Sequence, residues 1–413
     1  MANKPENFTI DMLNTETFPE DTDFGEQAEF PLTRARLDAI PIATPDMTTD
    51  QLRKICVDYV KLSVSFQWYT DRFVFVPSTR STPEVFPARS FYKGKLYGGI
   101  PYINTASGNL YRILEYYDEK TGFLDTEYFS KNPKVFGTAC SGTAGCGWHR
   151  VVNSAEISWT HSMNVAHGFI PVGPYKYDHS LQQIWTKNAE GKRIYAYNTK
   201  TVCKDNGHQV MFESYALTLP ADCYSSNGHV RMCAENPVVV RNEDGTIDGE
   251  KSYVVLVEQG LFTKGDHHKR KTAGGIDYLI RGCDGKAFNF LELFDAGYLV
   301  HTFAELIGTK KVDVAEVGIG YENETIDAET LYGQKIKANY PISDVFSVVK
   351  DEKGEVVKKH VYRHHCHFHK AFSLEKCLPE GLDALCDGKH TIEISAQLYN
   401  GQKLTAYSGK LVG

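Results

Sequence analysis

The sequence predicts an α+β fold followed by a small all-β sandwich, and three observations carry that expectation. Apolar residues recur at helical spacing after Thr48 and again after Cys140. From about residue 190 onward, short β-branched and aromatic runs separated by turn residues take over, as consecutive antiparallel strands require. Beyond Tyr332 such runs alternate with turns, and Asn400-Gly401 between two alternating segments is the strongest hairpin signal in the chain.

Taken in order, residues 1–44 are polar, acidic and interrupted by prolines, which predicts a loosely structured leader. Thr48-Thr49-Asp50 caps a helix whose apolar side is Leu52, Ile55, Cys56, Tyr59, Val60 and Leu62. An aromatic, loop-rich stretch follows, then a tight corner at 98–104 and a short helix over 110–117. Ala144, Trp148, Val151 and Val152 form the apolar side of a helix beginning at or beside Cys140. Strands are expected at 194–197, 210–215, 228–234, 238–241 and 252–257, and helical segments at 288–296 and 300–307. These elements define a first domain over 45–330. Strands at 345–349, 356–362, 391–398 and 403–407 define a sandwich of the immunoglobulin-like kind over 334–413.

Bulk properties narrow the function. The chain has 413 residues, 42% hydrophobic and 23% charged, enough for two or three cored domains. A formal charge of −7 argues against a nucleic-acid partner, and the basic run 267–271 is too short to reverse that. No apolar run is long enough to cross a bilayer, and the first thirty or so residues lack the apolar core of a signal peptide. The ten cysteines are scattered without a CxxC pair, which suits buried, reduced thiols better than a disulfide framework.

The chemistry centres on Val135-Phe136-Gly137-Thr138-Ala139-Cys140-Ser141-Gly142. Backbone N–H groups at a helix start favour an anion, so a cysteine there is biased toward the nucleophilic thiolate. Gly137 and Gly142 allow a substrate carbonyl close to the backbone. A cysteine nucleophile needs a base, and the base needs a partner that orients it. His229, preceded by Gly228 and opening a strand, suits the base. Glu258 at the end of a later strand suits the orienting role, because its charge also stabilises an imidazolium; Gln259 is second choice. Neighbours on a strand face opposite ways, so one of the two serves.

The order of these elements resembles the NlpC/P60 and CHAP peptidoglycan hydrolases, cysteine peptidases and amidases of papain-like fold. Cys140-Ser141-Gly142 opening a helix, Gly228-His229-Val230 opening a strand and the carboxylate of Val257-Glu258-Gln259 carry the likeness. Gly99-Ile100-Pro101-Tyr102 is similar to the segment whose tyrosine lies beside the nucleophile, and the likeness spans roughly residues 94–300. It implies Cys140, His229 and Glu258 as catalytic residues, with Tyr102, Ser141, Gly142 and Gln259 around the substrate. It also implies peptidoglycan peptides as substrate, a wall-binding or spacing role for the sandwich, and a secreted or cell-surface bacterial protein without cofactor or metal. The chain departs from the pattern at Ala139, where the family has aspartate, and in longer stretches before Cys140 and between Cys140 and His229.

Other histidines compete. His149 lies too far along the cysteine helix to reach its start, at about 1.5 Å rise per residue. His161 and His167 fall in loop-rich sequence, and His208, before an expected strand, is the alternative base. The cluster His360, His364, His365, Cys366, His367 and His369 offers zinc or copper ligands, but alternate strand residues lie about 6.6 Å apart, too far to share one ion without a bend. Two further readings follow. One is a wall- or glycan-binding protein on a degenerate catalytic fold, and the other a metal-handling protein using the histidine cluster.

Overall fold

The computed structural model describes residues 30–413 except 71, 73, 77–88, 92, 94–95, 104–106, 155–156, 158–166, 178–184, 188, 192, 196–197, 260–267, 272–276, 281 and 365–367. The fold is mixed α/β with several sheets. At its centre lies a six-stranded sheet in the order Gly282–Asn289, Tyr253–Gln259, Val230–Cys233, Cys223–Ser225, Leu299–Thr302, Ile170–Pro171. All its pairings are antiparallel.

The inner strands of this sheet, Cys223–Ser225, Val230–Cys233 and Tyr253–Gln259, are covered on both faces. Cys223, Val230, Met232 and Val257 face one core, shared with the helices Thr49–Ser65 and Cys140–Trp148. Tyr224, Cys233, Val254 and Leu256 face the other, filled by Tyr215, Phe290 and Leu293. The helix Thr49–Ser65 starts at a reciprocal capping box between Thr48 and Gln51, as its sequence signals.

The cysteine helix is glycine-rich because it is squeezed from two sides. A Cβ on Gly147 would lie 2.3 Å from the Val60 side chain, and one on Gly145 2.5 Å from the Phe368 ring. Glycine there costs helix propensity of about 1 kcal/mol and is offset by the close packing it permits. Trp148 closes the helix, fully buried, with its indole N–H donating to the Ala221 carbonyl at 2.7 Å.

Several expected elements differ. Residues 210–215, expected as a strand, lie in the helix His208–Ala216, where Met211, Phe212 and Tyr215 are buried one turn apart. Valine, phenylalanine and tyrosine raised the strand propensity, and tertiary burial at helical spacing overrode it. Residues 300–307, expected as helical, instead open with the strand Leu299–Thr302, paired on both sides. Residues 238–241 make only isolated bridges, Val238 to Tyr253 and Arg241 to Ile247. The described end of the expected leader is packed: Thr33 caps the helix Arg34–Asp38, and Leu32 and Leu37 are fully buried.

The C-terminal unit has its own core. A five-stranded sheet, ordered Thr325–Ile326, Lys403–Leu411, Thr391–Leu398, Ile342–Lys350, Val356–Arg363, faces that core together with a three-stranded sheet, Val317–Gly318, Lys335–Ala338, Ala371–Ser373. The unit begins before residue 334, because Ile319, Ile326 and Leu331 already belong to that core. Asn400-Gly401 turns the hairpin as expected, with Gly401 at φ +100°.

The two parts are joined by buried polar bonds. Arg112 donates through Nε to Asp344 at 2.8 Å, through Nη1 to the Val135 carbonyl at 3.1 Å, and through Nη2 to the Ser343 and His364 carbonyls at 2.5 Å each. Arg112 is fully buried and Asp344 is 2% exposed. Losing one partner of such a pair strands the other charge in the interior, at a cost of about 3–5 kcal/mol. Asp344→Ala is therefore expected to lower the unfolding free energy by that amount in urea titrations of the full chain. A double change of Arg112→Met and Asp344→Leu should cost clearly less.

Candidate active site

The cysteine helix starts at Cys140 itself, and Ala139 at the cap supplies no side-chain hydrogen bond. The cap residue therefore offers the first-turn N–H groups no side-chain acceptor of the kind most helix starts carry. The segment ahead of the helix is fixed by the corner at 98–104. Ile103 N–H donates to the Thr138 carbonyl and Thr138 N–H to the Pro101 carbonyl, both at 3.0 Å, in a parallel bridge between Tyr102 and Thr138. Tyr102 thus sits beside the strand of chain that delivers the cysteine.

His229 precedes the strand Val230–Cys233, and Glu258 lies on the neighbouring strand Tyr253–Gln259. The antiparallel register pairs Met232 with Val257, so the next step sets Arg231 opposite Glu258. His229 and Arg231 are two residues apart and share that face. One carboxylate oxygen, Glu258 Oε2, consequently accepts from both His229 Nε2 and Arg231 Nε, the latter at 2.8 Å. On its other side the strand's pairing with Gly282–Asn289 is irregular between Leu256 and Glu258, a local break of the kind that re-aims side chains next to functional sites.

An ionised carboxylate only accepts, so the proton on this contact belongs to His229 Nε2. The ring's second hydrogen bond, to Cys140, then uses Nδ1. Cysteine, histidine and glutamate form one continuous chain of contacts across three separate elements. Cys140 is 6% exposed, whereas the His229 side chain is 23% exposed, so the site opens toward solvent at the imidazole.

The charges reinforce one another. Burial opposes the Cys140 thiolate, but the His229 charge and hydrogen bond, together with N–H groups of Val230 and Ser141, outweigh it and bring the thiol below its ordinary range. Burial also opposes the imidazolium, and Tyr298, Glu258 and Cys140 outweigh it, so His229 holds its proton well above the usual histidine range. Burial would raise the Glu258 carboxyl, and His229 and Arg231 instead pull it down to about 2.

The contrast with the other thiols is sharp. Burial pushes Cys56, Cys203 and Cys377 up to about 12 and Cys146, Cys223 and Cys233 upward as well. The eight cysteines with described side chains are all free, and only Cys140 among them is pulled down.

The remaining expected residues fall as follows. Ser141 and Gly142 are buried in the first helical turn, with the Ser141 N–H on the sulfur. Gln259 is 1% exposed and donates to the Ile100 carbonyl at 2.5 Å. It ties the Tyr102 corner to the sheet and leaves the histidine to Glu258. His208 stands apart on its own helix, its ring 4.1 Å from that of Phe294. His149 is fully buried, hydrogen-bonded through Nδ1 to the Val152 carbonyl at 2.8 Å, and burial holds it neutral down to about 3. His161, His365, Cys366 and His367 lie outside the described residues. Among the described residues no group of three or more metal-ligating side chains converges, and no helix is long and apolar enough to cross a membrane.

No family model matches this chain, and no curated protein matches it either. The site is read from its own geometry.

That geometry overlooks neither Cys140 nor His229, but two contributors escaped the sequence reading. Arg231 was visible in principle, since a residue two along a strand from a candidate base shares its face. Tyr298 carried no local signal, because fold topology alone brings it there.

The thiol shift gives a direct test. An ordinary thiol with pKa about 8.5 loses roughly 70-fold in thiolate between pH 8 and pH 6. Because the Cys140 value is lowered, its thiolate persists below the ordinary range and disappears only as pH falls through that lowered value. Iodoacetamide labelling of Cys140 is expected to fall by clearly less than that factor between pH 8 and pH 6. Mass spectrometry of the peptides should find the other described cysteines essentially unlabelled in the folded protein.

Proposed function

We propose that the protein is a cysteine-dependent amide hydrolase. The observation that supports this best is the unbroken Cys140–His229–Glu258 contact chain, with the thiol at the first residue of a helix and drawn to the thiolate side.

In this reading Cys140 Sγ attacks the carbonyl carbon of the scissile amide. The carbonyl oxygen takes up negative charge and is received by N–H groups at the helix start, including that of Cys140. His229, protonated on Nδ1, gives that proton to the leaving nitrogen as the carbon–nitrogen bond breaks, and a thioester remains on Cys140. Water then attacks the thioester, His229 takes its proton, and the acid leaves with return of the thiolate–imidazolium pair. Glu258 holds the ring in register and balances its charge in both halves. The residues present suffice for each step without a cofactor.

We further propose a papain-like arrangement for the region around the six-stranded sheet and an immunoglobulin-like one for the C-terminal sheets. The helix-borne cysteine ahead of a histidine that immediately precedes a strand supports the first, and two sheets about one core support the second. Peptidoglycan stem peptides and cross-bridges are the substrates proposed from the likeness of these motifs to cell-wall hydrolases.

Purified peptidoglycan and synthetic stem peptides provide the test. Cys140→Ala should reduce release of soluble fragments by about 10³-fold or more, and His229→Ala by about 10²–10⁴-fold. Thermal unfolding of Cys140→Ala should stay close to that of the parent. Full activity in the alanine variant refutes the mechanism. A parent enzyme inert on peptidoglycan but active on simple peptide amides refutes only the substrate. Where activity is seen, it should follow a bell in pH. The acid limb is the Cys140 thiolate and lies below the ordinary thiol range. The alkaline limb is loss of the His229 proton and lies above the ordinary histidine range.

A further inference from the structure

We propose that Arg231 is a positioning residue of this site, locking the Glu258 carboxylate onto the far nitrogen of His229; this rests on the catalytic reading given above.

Glu258 Oε2 receives both His229 Nε2 and Arg231 Nε, so the same atom that orients the imidazole is held in place by the guanidinium. A glutamate side chain has three rotatable bonds, and a carboxylate held by one donor alone can swing away from the ring. The second donor removes that freedom.

Arg231 is itself held. Its guanidinium carbon lies 3.9 Å from the centre of the Phe288 ring and 4.7 Å from that of Tyr298. Phe288 comes from the strand Gly282–Asn289, and Tyr298 immediately precedes the strand Leu299–Thr302. The planar cation is thus packed against two aromatic rings brought from different parts of the sheet. With side-chain exposures of 16% for Arg231 and 7% for Glu258, water competes weakly for the contact.

Charge completes the case. The charged groups facing Glu258 are His229 and Arg231, and the groups facing His229 are Tyr298, Glu258 and Cys140. Without Arg231 the carboxylate would hold its charge less firmly as pH falls. Once it is protonated, the imidazolium loses its counter-charge and the Cys140 thiolate loses its partner. Arg231 therefore acts on the nucleophile at two removes, through Glu258 and then His229.

The experiment is the pH dependence of Cys140 alkylation by iodoacetamide, which needs no substrate, in the full chain and in Arg231→Gln, Arg231→Lys and Glu258→Gln. The acid limb of the parent should lie lowest. Arg231→Gln should move it up by about one pH unit or more, toward the Glu258→Gln profile. Arg231→Lys, which keeps a cation but loses the planar fork, should fall between parent and Arg231→Gln. A limb unmoved in both arginine variants while Glu258→Gln shifts it would overturn the positioning role and leave the catalytic reading intact. A parent with the reactivity of an ordinary thiol would overturn the catalytic reading and this inference with it. Should Arg231→Gln fail to fold, as judged by circular dichroism, the intermediate limb of Arg231→Lys alone decides the matter.

Discussion

A thiolate and a carboxylate held within one partly buried site require cations between them. Bare, each would pay several kcal/mol of desolvation and would take up a proton instead. The site meets that requirement by alternating acid and base: Cys140, His229, Glu258 and Arg231 follow one another along one contact path, and each basic group favours the charged form of the acid beside it. His229 at both acids, and Arg231 at Glu258, offset the burial that opposes charge on Glu258, 7% exposed, and on Cys140, 6% exposed.

That alternation depends on backbone geometry more than on side-chain choice. The two-residue period of the strand Val230–Cys233 puts His229 and Arg231 on one face, and the antiparallel register puts Glu258 across from Arg231. A one-residue slip would exchange Glu258 for Val257 or Gln259 and leave two cations unmatched. The register is in turn fixed by burial on both faces, since Val230 and Met232 fill one core while Cys233 and Leu256 fill the other. Core packing and site electrostatics are therefore one constraint seen from two sides.

The legible parts of the sequence are those in which local signals and final burial agree. Cys140 opens its helix, Thr48 caps its own, and Asn400-Gly401 turns its hairpin, each because short-range geometry is enough to decide it. The pairing of His229 with Glu258 was legible because strand alternation is short-range too. What was hidden depended on distance. The helix His208–Ala216 carries the strand-favouring Val210, Phe212 and Tyr215, and it forms because Met211, Phe212 and Tyr215 meet a core supplied by residues far away in the chain. Arg231 was overlooked because a strand arginine ordinarily faces water, and only Phe288 and Tyr298 turn it inward. Gln259 was assigned to a substrate, yet it spends its amide on Ile100, a contact that no local pattern announces.

The same reasoning changes how the C-terminal unit should be regarded. A spacer or binding module joined by a linker would leave the Cys140 helix indifferent to it. Here Arg112 reaches the Val135 carbonyl, five residues ahead of Cys140, while its other donors hold Asp344, Ser343 and His364. Phe368 packs against Gly145 of the cysteine helix and lies 4.5 Å, ring to ring, from His149. Tyr399 donates to the Ser107 carbonyl at 2.6 Å, and Tyr340 to the Val151 carbonyl at 3.2 Å. The helix that presents the thiol is thus gripped by the sheet on one side and by the C-terminal unit on the other. Gly145 and Gly147 make sense only with both grips in place, because a side chain on the first would meet Phe368 and one on the second would meet Val60 and Met232. The C-terminal unit is on this account part of the frame that sets the direction of the helix. Any ligand it holds would be held at a fixed distance and angle from Cys140.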